Sequence, residues 1–171
     1  MIRVAAVGDL HAGVDSAGKI GSRFEGVAGR ADVLLLAGDL TRRGTVEEGK
    51  LLADELGPVA EAIRTVAVLG NHDYHSGEQD DIRRLLEDAG LRVLEGEGVT
   101  LDVGGGRLGV AGTKGFGGGF AGASATAFGE PEMKAFVGHT EQVAERLERA
   151  IRELDADVRA VLLHYAPVEA T

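Results

Sequence analysis

The chain has 171 residues, enough for one domain with a sizeable core, and 44% of them are hydrophobic, which excludes a disordered acidic tail. It contains no cysteine, which excludes disulfides and thiolate metal sites and fits a cytoplasmic protein. The formal net charge of −10 disfavours long polyanions such as nucleic acid, but not a small anionic substrate, because a bound cation reverses the local potential.

The first apolar segment, IRVAAVGDLH at 2–11, has one basic residue and passes straight into polar groups, so it reads as a strand rather than a cleaved leader. No apolar run approaches the roughly 20 residues of a membrane-spanning helix. DVLLLAGDLT at 32–41 repeats the layout of the first segment. Val46 to Leu56 predicts a helix with Leu51, Leu52 and Leu56 on one side, Thr45 as its N-cap and Gly57-Pro58 as its stop. TVAVLGNHDYH at 65–75 is the third strand-to-polar segment. Near-continuous apolar runs of this kind suit strands covered on both faces.

Asp80 to Ala89 predicts a second helix, with Ile82, Leu85, Leu86 and Ala89 on one face and Gly90 ending it. Strand–helix–strand alternation predicts an α/β fold with a largely parallel sheet at its start. VTLDV at 99–103 and RLGVAGT at 107–113 alternate with period two around Gly104-Gly105-Gly106, which reads as an antiparallel hairpin. A glycine-rich loop runs from Gly112 to Gly129. Thr140 to Leu154 predicts the clearest helix, capped by Thr140, with Val143, Leu147, Ile151 and Leu154 as its stripe. VRAVLLHYAP at 158–167 then returns to the early layout and ends in a histidine. There is no repeat and no linker, so a single domain over 1–171 is expected.

Asp9, His11, Asp39, Asn71, His72 and His164 all fall at the carboxyl ends of these strands, where α/β sheets gather their ligands. Carboxylate, amide oxygen and imidazole together suit divalent first-row metals. Asp9 and His11 are two apart, so an extended chain would point both to one side. A carboxylate such as Asp39 can bridge two cations and reduce their repulsion. Gly8, Gly38 and Gly70 precede the ligands and permit close backbone approach.

The ordered set GDLH, GDL and GNHD, followed by LLHYAP, resembles the calcineurin-like metallophosphoesterases over residues 2–167. The resemblance implies two mixed β-sheets packed as a sandwich and flanked by helices. It implies two divalent ions (Mn, Fe, Zn or Mg), the first held by Asp9 and His11, the second by Asn71 and His164, with Asp39 between them. His72 would be the general acid or hydrogen-bond donor at the leaving group, and Asp73 would orient it. A metal-bridging hydroxide would then hydrolyse a small phosphomonoester or phosphodiester. The family pattern also carries a later Gly-His-x-His motif that this chain lacks. GHTE at 138–141 precedes His164 and is set aside as the cap of the long helix. The expectation is therefore a domain lacking its C-terminal part; a neighbouring subunit completing the site, or a weakened site, are the other readings. A non-catalytic binding module with an incomplete metal site is the alternative function.

Several residues carry weaker signals. Lys114 and Phe116 in GTKGFGGGF are candidates for substrate phosphate contact and pocket lining, with Phe120 beside them; a turn-rich surface loop is the competing reading. Gly104 to Gly109 satisfies G-x-G-x-x-G, but a strand follows where a dinucleotide fold needs a helix. His75, His139, Arg42 and Arg43 read as surface groups.

Overall fold

The computed structural model describes residues 1–168. Strand β1 (Val4–Val7) leads through short helical turns and helix α1 (Val27–Arg30) to β2 (Val33–Ala37). Helix α2 (Val46–Ala62), β3 (Arg64–Val68), α3 (Gln79–Asp88) and β4 (Arg92–Val93) follow. These four strands form one sheet in the order β1-β2-β3-β4, and every pairing is parallel. The hairpin β5 (Glu97–Val103) and β6 (Gly106–Thr113) pairs antiparallel, as its alternation predicts. A small ribbon, β7 (Gly119–Phe120) with β8 (Ala123–Ser124), interrupts the glycine-rich segment. Helix α4 (Pro131–Glu153) and β9 (Val158–Leu163) complete the described chain. Strand β9 lies parallel to β6, so the second sheet is mixed, in the order β5-β6-β9.

The layers are helix, sheet, sheet, helix, and side-chain alternation assigns each residue to one of them. Val33, Leu35, Val66 and Val68 face the second sheet and meet Leu108, Val110 and Leu162. Their sequence neighbours Leu34, Leu36, Ala67 and Leu69 face the other way, onto Leu52, Leu56, Ile82 and Leu86 of α2 and α3. That is why β2 and β3 read as unbroken apolar runs. Full burial of each Leu or Val contributes about 1.5–3 kcal/mol. Ala150 and Leu154 at the end of α4 cover Ala111 on the outer face of the second sheet.

Three expectations are corrected. Helix α2 does not stop at Gly57-Pro58 but continues to Ala62. Proline removes the hydrogen bond to the carbonyl four residues back, here Asp54, which lies at an exposed position where water can replace it. Val59 and Ala60 beyond the proline pack against the core and hold the last turn. Helix α4 begins at Pro131, not at Thr140. Proline suits the first helical position, where its missing N–H is not needed. Thr140 is therefore mid-helix, and its Oγ1 donates to the Gly117 carbonyl (2.7 Å), with the Phe136 carbonyl 3.1 Å away. GHTE is thus not a helix cap.

The third correction concerns β1, which is an edge strand rather than one covered on both faces. Val4 and Val7 are 44% and 37% exposed. Strand β9 is the corresponding edge of the second sheet, with Val158 and Val161 exposed. Thr45 does cap α2, accepting from the Glu48 N–H at 3.3 Å.

Candidate metal centre

The ends of β1, β2, β3 and β9 converge. The two GD turns are laced by backbone bonds: Asp9 N–H donates to Gly38 O (3.0 Å) and His11 N–H to Asp39 O (2.9 Å). Asp9, His11 and Asp39 adopt left-handed φ values of 56°, 46° and 49°. The pair Asp9/His11 is thus not extended, and its convergence comes from two left-handed residues rather than from strand alternation. Such conformations cost L-residues about 1–2 kcal/mol each and are held in place by the surrounding structure.

Two glycines are required by contact. A Cβ on Gly70 would lie 2.1 Å from both the backbone nitrogen and Oδ1 of Asp39. One on Gly38, at φ 86°, would lie 2.7 Å from His164 Nδ1. Gly8 has no such constraint, since its added Cβ would make only an ordinary 3.4 Å contact with Ala37.

Asp39 is buried at the middle of the group, and its two oxygens face different partners. Oδ1 accepts from the His72 N–H (2.9 Å) and lies 3.3 Å from His164 Nε2. Oδ2 lies 3.8 Å from His11 Nε2 and 3.9 Å from His72 Nε2. His11 Nε2 is also 3.7 Å from Asp9 Oδ1. Two overlapping sets of donor atoms, Asp9/Asp39/His164 and His11/Asp39/His72, each lie within 4.8 Å of one another. The second set puts His72 among the possible ligands, beside the acid role that the resemblance gives it. Its ring packs edge-on against His11 at 4.6 Å.

The donor set fits a cation. His164 Nδ1 faces the Ala37 carbonyl at 2.9 Å, which assigns the ring proton to that nitrogen. In the neutral ring Nε2 is then a lone pair, yet Asn71 Oδ1 lies 2.9 Å from it and Asp39 Oδ1 3.3 Å. Three lone-pair donors converging on one point repel one another unless positive charge sits among them. His72 repeats the device: its Nδ1 faces the Arg42 carbonyl at 2.8 Å and its Nε2 faces the centre.

Asp73 does not meet the His72 ring. It is fully buried, and its carboxylate accepts from Leu40 N–H (3.1 Å), Thr41 N–H (2.7 Å), Thr41 Oγ1 (2.6 Å) and Gly70 N–H (2.7 Å). It ties the loop after β2 to the loop after β3, and the first of these carries the Arg42 carbonyl. The direct partner of His72 is a backbone group that no residue-type pattern could reveal.

Lys114 and Phe116 lie beside this centre. Tyr165, next to His164, donates its N–H to the Lys114 carbonyl (2.9 Å). The Lys114 ammonium is 4.8, 5.1 and 5.5 Å from the ring centres of Tyr74, Phe116 and Tyr165. Burial lowers its pKa, and the charge of Glu95 partly offsets this. Glu95 is itself pushed above the usual carboxylate range by burial, against the opposing hydrogen bond from Tyr74 and the Lys114 charge. The Tyr74 hydroxyl donates to Glu95 Oε2 at 3.1 Å, and burial together with that carboxylate pushes the phenol up. Sequence reasoning missed Tyr74, Glu95 and Tyr165. The two tyrosines directly follow GNHD and His164, a positional signal that was available; Glu95 has none. His75 and His139 are exposed, as expected.

The fold and donor set define a metal-binding α/β sandwich. The sequence matches the model of the calcineurin-like phosphoesterases over residues 2–164, and the chain belongs to that family. No curated protein matches it. Its fold is similar to that of TT1561 of Thermus thermophilus, with a TM-score of 0.64 at 20% identity over 99% of this chain and 71% of that one. It is also similar to the phosphopantetheinyl hydrolase PptH from Mycobacterium tuberculosis, with a TM-score of 0.62 at 14% identity over 96% and 68%. Metal-dependent phosphoester hydrolysis is the chemistry of the class. Among the described residues no helix is long and apolar enough to cross a membrane.

Proposed function

We propose that this chain hydrolyses a small phosphomonoester or phosphodiester using two divalent cations. The observation that carries the reading is the arrangement of Asp39, whose Oδ1 faces His164 and whose Oδ2 faces His11 and His72. Asp39 would be shared between the sites, with Asp9 and His11 on one side and Asn71 and His164 on the other. Bound there, two cations supply Lewis-acid activation of water and charge neutralisation on the phosphoryl oxygens. The residues do the rest. Ala37 holds His164 so that Nε2 points inward. The Arg42 carbonyl likewise holds the Nδ1 proton and aims His72 Nε2 at the centre, where a ring protonated on both nitrogens can pass the Nε2 proton to a departing alkoxide. Mn, Fe, Zn and Mg all suit oxygen and imidazole donors.

Turnover of bis(p-nitrophenyl) phosphate with and without Mn²⁺ tests the reading. Mn²⁺-dependent hydrolysis is expected, with Asp39→Asn abolishing both metal binding and turnover. His72→Ala is expected to keep metal binding and lose about 10²–10⁴-fold in rate. If His72→Ala instead loses metal binding as Asp39→Asn does, His72 is a ligand and its acid role falls. Metal binding without turnover of any phosphoester would favour the non-catalytic alternative.

A further inference from the structure

The chain has no tryptophan, five phenylalanines and two tyrosines. Among the described residues the interior is built from Leu, Val, Ile and Ala, with Phe24 as its single buried aromatic. Yet both tyrosines and two of the phenylalanines gather beside the metal centre. Phe116 packs on Phe136 at 5.3 Å and edge-on to His139 at 4.6 Å. Tyr165 packs edge-on to His164 at 5.5 Å. Phe116, Phe136 and Tyr165 are 36%, 38% and 37% exposed, so each ring keeps part of its surface in solvent. Among these rings sits Lys114. Among the described residues no carboxylate lies within ion-pair distance of its ammonium, and its one hydrogen bond is a 3.3 Å contact to Gly115 O. A half-buried cation with unspent donors beside part-exposed rings matches a ligand that is anionic at one end and flat at the other.

We infer that these rings with Lys114 form the leaving-group pocket of the centre, selecting phosphoesters whose leaving alcohol carries a planar ring, such as an aryl or nucleoside phosphoester. The inference rests on the phosphoesterase reading above and adds the substrate class. Phe116 and Tyr165 offer the stacking faces, and Lys114 meets a phosphoryl oxygen. In the reaction water adds across the phosphorus–oxygen ester bond. Its oxygen stays on phosphorus, and the ring-bearing alcohol leaves with a proton.

The test is a calorimetric titration of the full chain in EDTA with phenyl phosphate, ethyl phosphate and inorganic phosphate, repeated with Mn²⁺. Base–aromatic stacking corresponds to roughly tenfold or more in affinity, so phenyl phosphate is expected to bind at least about tenfold tighter than ethyl phosphate. Phe116→Ala removes that ratio. Lys114→Met weakens both esters alike and leaves the ratio standing. Circular dichroism checks each variant, and Phe136→Ala serves if Phe116→Ala does not fold. Both tyrosines flank Lys114 and tryptophan is absent, so intrinsic emission reports on this pocket alone; phenyl phosphate changes it and ethyl phosphate does not. Equal affinity for the two esters, no binding of either at millimolar concentration, or a ratio that survives loss of both phenylalanines overturns the inference. A phenyl preference in EDTA with no Mn²⁺-dependent turnover keeps the ring site and overturns the catalytic reading instead.

Discussion

Asp73→Ala is expected to be the most destabilising single change near the centre. The carboxylate is fully buried and accepts four hydrogen bonds, three of them from the backbone N–H groups of Leu40, Thr41 and Gly70. Alanine leaves those three donors without a partner in a site that excludes water. Each buried unsatisfied group costs about 1–3 kcal/mol, so the sum is about 3–9 kcal/mol against a total stability of about 5–15 kcal/mol for an ordinary domain. Asp73→Asn keeps one oxygen and turns the other into a donor facing donors, and should lose roughly half as much. Urea unfolding followed by far-UV circular dichroism reads both. His72→Ala, whose ring is part-exposed, serves as the comparison and should stay within about 1 kcal/mol of the parent. If Asp73→Ala loses less than about 1 kcal/mol, the carboxylate is not the clamp between the two loops, and its four donors do not depend on it.

Three further outcomes follow from the geometry. Gly70→Ala places a methyl 2.1 Å from Asp39 backbone and side-chain atoms, so Mn²⁺ binding measured by calorimetry should vanish, and retention of parental affinity would contradict the close approach. Glu95→Gln should raise stability more at pH 7 than at pH 4. A carboxyl whose folded pKa is raised binds more protons folded than unfolded, so stability falls as pH rises from the ordinary value of 4.5 through the raised folded one. Parallel unfolding curves at the two pH values would refute that. Pro58→Ala should stabilise α2 by restoring the bond to the Asp54 carbonyl; interior proline costs about 3 kcal/mol relative to alanine in model helices, and a lowered melting temperature would show that the ring's own packing matters more.

Much of the centre was legible because its chemistry is written in side-chain types. Asp9, His11, Asp39, Asn71 and His164 occupy strand ends, and parallel pairing brings strand ends together. What escaped was set by backbone groups and by distant context. The left-handed turns at Asp9 and His11 depend on bonds to the next GD turn, not on local propensity. The family resemblance gives Asp73 the role of orienting His72, yet its partners come mostly from residues 40 and 41. The long helix reads short because Thr140 resembles an N-cap, whereas Pro131 marks the true start. Strand β1 has the same apolar composition as β2 and β3, and composition does not say which strand lies outermost.

The outermost position of β1 and β9 matters outside the cell-free assays as well. Among the described residues each has an outer side with no partner strand and exposed valines, a ready template for a foreign strand. Arg3 just before one and Arg159 within the other are the charges that oppose such addition, and both are engaged, Arg3 with Asp32 and Arg159 with the Leu154 carbonyl. Concentrated preparations of this polypeptide should therefore self-associate through lengthening of its sheets, and lysines introduced at Val4 and Val161 should keep them dispersed.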